Sequence, residues 1–254
     1  MQAYSLIGPG VTIGAGTLVG PHCVIDGRTV IGERNQIYSG AQIGVRSQDL
    51  KHDLSRLGRL EIGDGNVIRE HVSISASTQS NESEDARITR IGSGCLLMTC
   101  SHVAHDCSVG DGVIIANCVA LAGHVTVEDR AILGGLSAVH QFVQVGTFAM
   151  VGGMSRIWND APPYMITDGN PARCGGLNLV GLKRAGFDEA SRARLKQIYR
   201  IMFRSDLTAA HALQEIESTV GPGPERDHFI AFVKKSARGL TRPRSSRQEE
   251  KPAE

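Results

Sequence analysis

Aromatic side chains are scarce in this chain: 4% of its 254 residues, with one tryptophan. An interior made this way cannot rest on stacked rings. Together with 30 glycines it suits a turn-rich scaffold filled by small and aliphatic side chains. An excess of charge of one sign is also missing. The formal net charge of +1 argues against nucleic-acid binding or membrane adsorption driven by global charge. No stretch approaches the ~20 apolar residues of a membrane span. The first ten residues lack a basic region followed by an apolar run. The chain is therefore expected to be soluble and cytoplasmic. The six cysteines show no Cys-x-x-Cys pair and no zinc-finger spacing.

What the sequence does have is a period of six. An aliphatic residue returns every sixth position from Ile7 to Ile43, from Ile62 to Ile74, and from Ile91 to Ile157, giving 22 hexads. Six fits neither the 3.6-residue helix nor the two-residue alternation of a hairpin sheet. It is the mark of a hexapeptide β-helix, each hexad forming one short strand and a turn. Polar interruptions at about 45–59 and 79–89 read as loop excursions. Cys23, Cys95 and Cys107 each fall four places after an aliphatic marker, in a slot that points inward, and are read as small core residues. Three hexads make an 18-residue coil, and coils stack at ~4.8 Å, so about seven coils should build a prism roughly 35 Å tall.

The β-helix is expected to span 1–160, because Pro162-Pro163 cannot donate to a ladder. A connector over 161–186 follows. A small helical domain over 187–240 should have Asp188 as an N-cap, a second helix opened by Thr208, and a third over 224–238 with Gly239 as its C-cap. The tail, 241–254, is polar and reads as disordered. The fold class is mainly β: a parallel β-helix followed by a small α-helical domain.

Stacking converts spacing into a site. In an 18-residue coil, His105 lies beneath Gly123 and Asp106 beneath His124, with His102 and His140 on neighbouring coils near the same edge. Three chemistries compete for this group. The histidines could be hydrogen-bonded turn residues. They could hold zinc, as in the hexapeptide-fold carbonic anhydrases, although the spacing here differs from theirs. Or a neutral imidazole, with a pKa near ~6.5, could act as a general base toward a hydroxyl.

The motifs carry a further resemblance. Gln48-Asp49-Leu50-Lys51, His102-Val103-Ala104-His105-Asp106-Cys107, Leu121-Ala122-Gly123-His124-Val125, Ala138-Val139-His140-Gln141-Phe142, Pro162-Pro163-Tyr164 and Gly181-Leu182-Lys183-Arg184 resemble the UDP-N-acetylglucosamine O-acyltransferases of bacterial lipid A biosynthesis. The resemblance runs to about Leu240. It implies a left-handed coil, and transfer of an (R)-3-hydroxyacyl group from acyl carrier protein to the 3-hydroxyl of UDP-N-acetylglucosamine. His105 matches the family's general base, Asp106 the carboxylate that orients it, and Gly123 the glycine whose N–H supports the oxyanion. Asp49, Lys51, His102, His124, His140, Gln141, Asn178 and Arg184 match positions that hold the substrates. Gly153 matches a position that limits acyl length, where glycine leaves room for a long chain. The resemblance also implies a homotrimer with sites between adjacent prisms, no metal, and no cofactor beyond the phosphopantetheine thioester of the donor.

Three positions depart from the family pattern. Pro171 follows Asn170, Val180 stands where an acidic residue is usual, and Ala185 stands where a second arginine is usual. The last two contact the nucleotide in relatives, so weaker nucleotide binding or a related sugar nucleotide is expected. Residues 178–204 carry seven basic and two acidic side chains, including Arg192 and Arg200. They read either as a solvated face or as a docking surface for acidic carrier protein. The rival functions are another hexapeptide O- or N-acyltransferase and a zinc lyase of the same fold.

Overall fold

The computed structural model describes residues 1–50, 58–78 and 88–243. Every hexad marker lies in a strand, from β1 (Leu6–Ile7) to β22 (Arg156–Ile157). Successive strands go to three different sheets, so the chain winds as a triangular, left-handed parallel β-helix. One face carries β1, β4 and every third strand up to β22, and includes β10 (Ser73–Ser75), β13 (His102–Val103), β16 (Ala120–Leu121) and β19 (Ala138–Val139). Its register repeats at 18 residues: His102 pairs with Ala120 and Val103 with Leu121.

The marker residues fill the axis. Ile25, Ile43, Ile68, Leu97, Ile115, Leu121 and Leu133 have no exposed surface. Burying one such side chain contributes about 1.5–3 kcal/mol, which is why the coil needs no aromatic core. Cys23, Cys95 and Cys107 share that interior. Ile7 and Ile13, on the first coil, are only half-buried because no coil covers them from below.

The 161–186 segment holds more structure than a connector. An antiparallel hairpin of β23 (Met165–Gly169) and β24 (Ala172–Leu177) extends the third sheet, β23 pairing in parallel with β21 (Met150–Val151). A short helix, α1 (Leu179–Arg184), follows it. The six-residue period ends at Pro162-Pro163, but the sheet does not, because the edge of β21 still offers unpaired backbone groups. Helices α2 (Glu189–Arg204) and α3 (Ala209–Thr219) are capped by Asp188 and Thr208 as the sequence suggests.

The third helix of the helical domain, α4 (Pro224–Lys235), stops short of 238, and its C-cap is Ser236 rather than Gly239. The chain leaves the helix there to dock on the prism. Asp160 accepts from Ser236 through its carboxylate, its N–H donates to the Gly239 carbonyl, and Thr241 donates back to the Asp160 carbonyl. Residues 241–243 are therefore ordered against the body, with Thr241 buried, contrary to the expectation for the start of the tail. No helix among the described residues is long and apolar enough to cross a membrane.

Candidate active site

Most corners of the prism turn through a left-handed residue. At the corner after β13, β16 and β19 these are Asp106, His124 and Phe142, with φ of 59°, 63° and 65°. An L-residue in this conformation costs roughly 1–2 kcal/mol. Hydrogen bonds between coils offset that cost: His124 N–H donates to the His105 carbonyl at 3.1 Å and Phe142 N–H to the Gly123 carbonyl at 3.2 Å. The strained corner is thus repeated rung upon rung, and its side chains stack.

His105 lies over Gly123. A Cβ at residue 123 would stand 2.6 Å from His105 Cε1 and Nε2, so the ring occupies space that only glycine leaves. His105 Nδ1 is 2.8 Å from Asp106 Oδ2. The Asp106 side chain is fully buried. Burial pushes its carboxyl upward, but hydrogen bonds from His105 and Thr78 and the charge of nearby His124 outweigh that and hold it below the usual carboxylate range. An ionised carboxylate only accepts, so Nδ1 of His105 carries the proton and Nε2 keeps its lone pair. This is the arrangement of an oriented general base.

His124 stands edge-on to His105, ring centres 5.1 Å apart, and stacks on Phe142 at 4.6 Å. His124 Nε2 is 3.8 Å from Asp106 Oδ2. His102 Nδ1 meets Ser73 Oγ at 2.7 Å, and burial lowers the pKa of its ring, keeping it neutral. A cleft of about 770 Å³ opens over these groups, lined by Asp49, His102, His105, His124 and Gln141 among others. Ligand atoms of His105, Asp106 and His124 lie within 4.8 Å of one another and are the one such trio among the described residues.

Other predicted residues lie elsewhere. His140 turns from the cleft to stack on Trp158 at 4.5 Å, its Nδ1 3.2 Å from the Gln141 carbonyl. Gly153 sits exposed at another corner, with Gly135 beside it. Asn178 caps α1, accepting from Gly181 N–H at 3.0 Å and donating to the Phe148 carbonyl at 3.0 Å. Arg184 is exposed in the last turn of α1. Lys51 lies outside the described residues. Of the basic stretch, Arg194 is occupied by Glu225 at 3.2 Å, whereas Lys196 and Arg200 are exposed. Sequence reasoning missed Ser73, Thr78, Thr89 and Phe142. The first two sit 29 and 28 residues before their partners, because the second excursion breaks the 18-residue arithmetic.

Comparison with known proteins matches this chain to a family. Residues 160–241 fit the family model described as UDP N-acetylglucosamine O-acyltransferase, domain 2, and residues 88–123 fit the bacterial transferase hexapeptide model. An acyl-[acyl-carrier-protein]–UDP-N-acetylglucosamine O-acyltransferase of Syntrophobacter fumaroxidans is 47% identical over 243 residues, covering 95% of this chain and 92% of that protein. The chain belongs to this acyltransferase family. A relative of the same name from Anaeromyxobacter is 46% identical, covering 82% of this chain and 79% of its own. The solved LpxA of Acinetobacter baumannii superposes with a TM-score of 0.89 at 42% identity, covering 95% and 93% of the two chains. The acyltransferase fold thus extends through the hairpin and the helical domain.

Proposed function

We propose that the protein transfers an (R)-3-hydroxyacyl group from acyl carrier protein to the 3-hydroxyl of UDP-N-acetylglucosamine, the opening step of lipid A synthesis. The observation that carries this reading is the His105–Asp106 pair at 2.8 Å, with the ring laid over Gly123. Family membership supplies the substrate class.

His105 Nε2 removes the proton of the sugar hydroxyl as its oxygen attacks the thioester carbonyl. The tetrahedral oxyanion is met by the Gly123 N–H, where a side chain would obstruct approach. Collapse breaks the C–S bond and forms the ester. The imidazolium returns its proton to the departing pantetheine sulfur, and Asp106 stabilises that imidazolium. No acyl-enzyme is needed. Cys107, the nearest thiol in sequence, is buried and its pKa is pushed up to about 12, so it is a poor nucleophile.

The reaction needs no cofactor beyond the phosphopantetheine carried by the donor. We place it in the cytoplasm, in a homotrimer whose sites lie between prisms. Gly153, Asn178 and Arg184 lie off the cleft of the single chain, which supports a site completed by an adjacent copy. Exposed Lys196 and Arg200 suit an acidic carrier protein. Val180, 62% exposed, offers no carboxylate to the nucleotide.

The test is incubation with a panel of UDP-sugars and hydroxyacyl carrier proteins of graded chain length, with and without His105→Ala. Transfer to UDP-N-acetylglucosamine from long-chain donors, lost by 10²–10⁴-fold in the variant, is expected. An unimpaired His105→Ala enzyme refutes the general-base assignment, and a preference for another sugar nucleotide redirects the substrate.

A further inference from the structure

Asp106 is gripped from three sides, and one grip has no role in the mechanism above. Its Oδ2 lies between two imidazoles, with His105 Nδ1 at 2.8 Å and His124 Nε2 at 3.8 Å. Rotation about the carboxylate torsion is soft, so nothing within the aspartate itself selects one ring over the other. Thr78 does. Its Oγ1 donates to Oδ2 at 2.7 Å and its backbone N–H to Oδ1 at 3.2 Å, which pins both oxygens. Thr89 fixes the backbone of the same residue, its Oγ1 accepting the Asp106 N–H at 2.8 Å. Thr89 is fully buried.

We infer that Thr78 is a positioning residue for the acyl transfer, locking the Asp106 carboxylate onto His105 and away from His124. The inference rests on the acyl-transfer reading above. With both oxygens pinned, Oδ2 stays in line with His105 Nδ1–H and the ring presents Nε2 to the cleft. Without the Thr78 hydroxyl the carboxylate turns between the two rings. His105 then loses both its orientation and the partner that stabilises its imidazolium. The titratable groups facing His105 are Asp106, His124 and His102, with Asp49 also lining the cleft. Thr78 and Thr89 also flank the second excursion, so the two necks of that segment meet on one aspartate.

The experiment compares Thr78→Val, Thr78→Ser and the unaltered full-length chain, with UDP-N-acetylglucosamine and a long-chain hydroxyacyl carrier protein. A hydrogen bond to a charged group corresponds to roughly a ten- to hundredfold effect. We expect kcat to fall by that factor in Thr78→Val while both KM values hold, and Thr78→Ser to restore it. The acid limb of kcat/KM should move to lower pH in Thr78→Val, because the imidazolium loses the carboxylate that stabilises it.

Combined with Asp106→Asn, Thr78→Val should cause no further loss, since one residue acts through the other. Independently of turnover, 15N shifts of the His105 imidazole should show a single Nδ1–H tautomer in the unaltered chain and a mixture in Thr78→Val. An unchanged tautomer, an unmoved acid limb, or losses that multiply with Asp106→Asn overturn the inference. If the 15N result holds but the unaltered chain transfers no acyl group, the acyl-transfer reading fails while the Thr78 clamp stands as a structural device.

Discussion

Gly123→Ala probes the stacking that the whole site depends on. The new methyl carbon would stand 2.6 Å from His105 Cε1 and Nε2, against ordinary contact of 3.4–4 Å. The ring must therefore retreat by roughly 1 Å. It is tethered through Nδ1 to Asp106 at 2.8 Å, and Asp106 is tethered to Thr78 at 2.7 Å, so the retreat strains or breaks the bond that orients the base. A misplacement of about 1 Å can cost ~10²-fold in rate, and the full worth of a general base, 10²–10⁴-fold, sets the ceiling. Gly123 is not in the left-handed region, so alanine suffers no backbone strain there. Any stability loss comes from overpacking and should stay within about 1–3 kcal/mol. Steady-state kinetics beside a thermal melt separate the two effects. We expect kcat to fall about 10²-fold in a folded protein, and the double variant with His105→Ala to be no slower than His105→Ala alone. A Gly123→Ala enzyme of near-normal kcat refutes the claim that this glycine holds the base in place.

Three further outcomes follow from burial. Burial depresses the pKa of His102, so below its unfolded value of ~6.5 the unfolded chain takes up a proton that the folded chain refuses. Stability should therefore fall as pH drops from about 6.5 toward the folded value. Melting curves of His102→Gln should show a shallower decline over that window, and an identical decline would refute the assignment. Leu97→Ala opens a cavity in the axis, where Leu97 is fully buried, and should cost about 2–5 kcal/mol in denaturant titration; a loss below 1 kcal/mol would mean the coil collapses around the gap. Of the six cysteines only Cys100 and Cys118 are exposed, and burial pushes Cys95 to about 11 and Cys107 and Cys174 to about 12. Native-state alkylation with mass readout should label two thiols, and all six after unfolding.

Much of this molecule was legible before any coordinates. The period of six specified the strands, because a coil with three short sides admits only small aliphatic side chains at its axis and must repeat them at a fixed interval. Adding 18 to a residue number brought His105 to Gly123 and Asp106 to His124 without further information, since parallel coils stack in register. The caps Asp188 and Thr208 were equally local. Their side chains bond amides three residues ahead, so three residues of sequence suffice.

Tertiary structure decided the rest. Ser73 and Thr78 reach His102 and Asp106 across an excursion whose length sequence arithmetic cannot convert into a register. His140 lies near the same edge as the other histidines, yet Trp158 on the next coil draws its ring out of the cleft. The hairpin of β23 and β24 forms where the six-residue period has already ended, on an edge that exists only once the coil is built. Local periodicity determined the scaffold and where the His105–Asp106 pair falls on it. Contacts between segments of unequal separation determined what holds that pair in place.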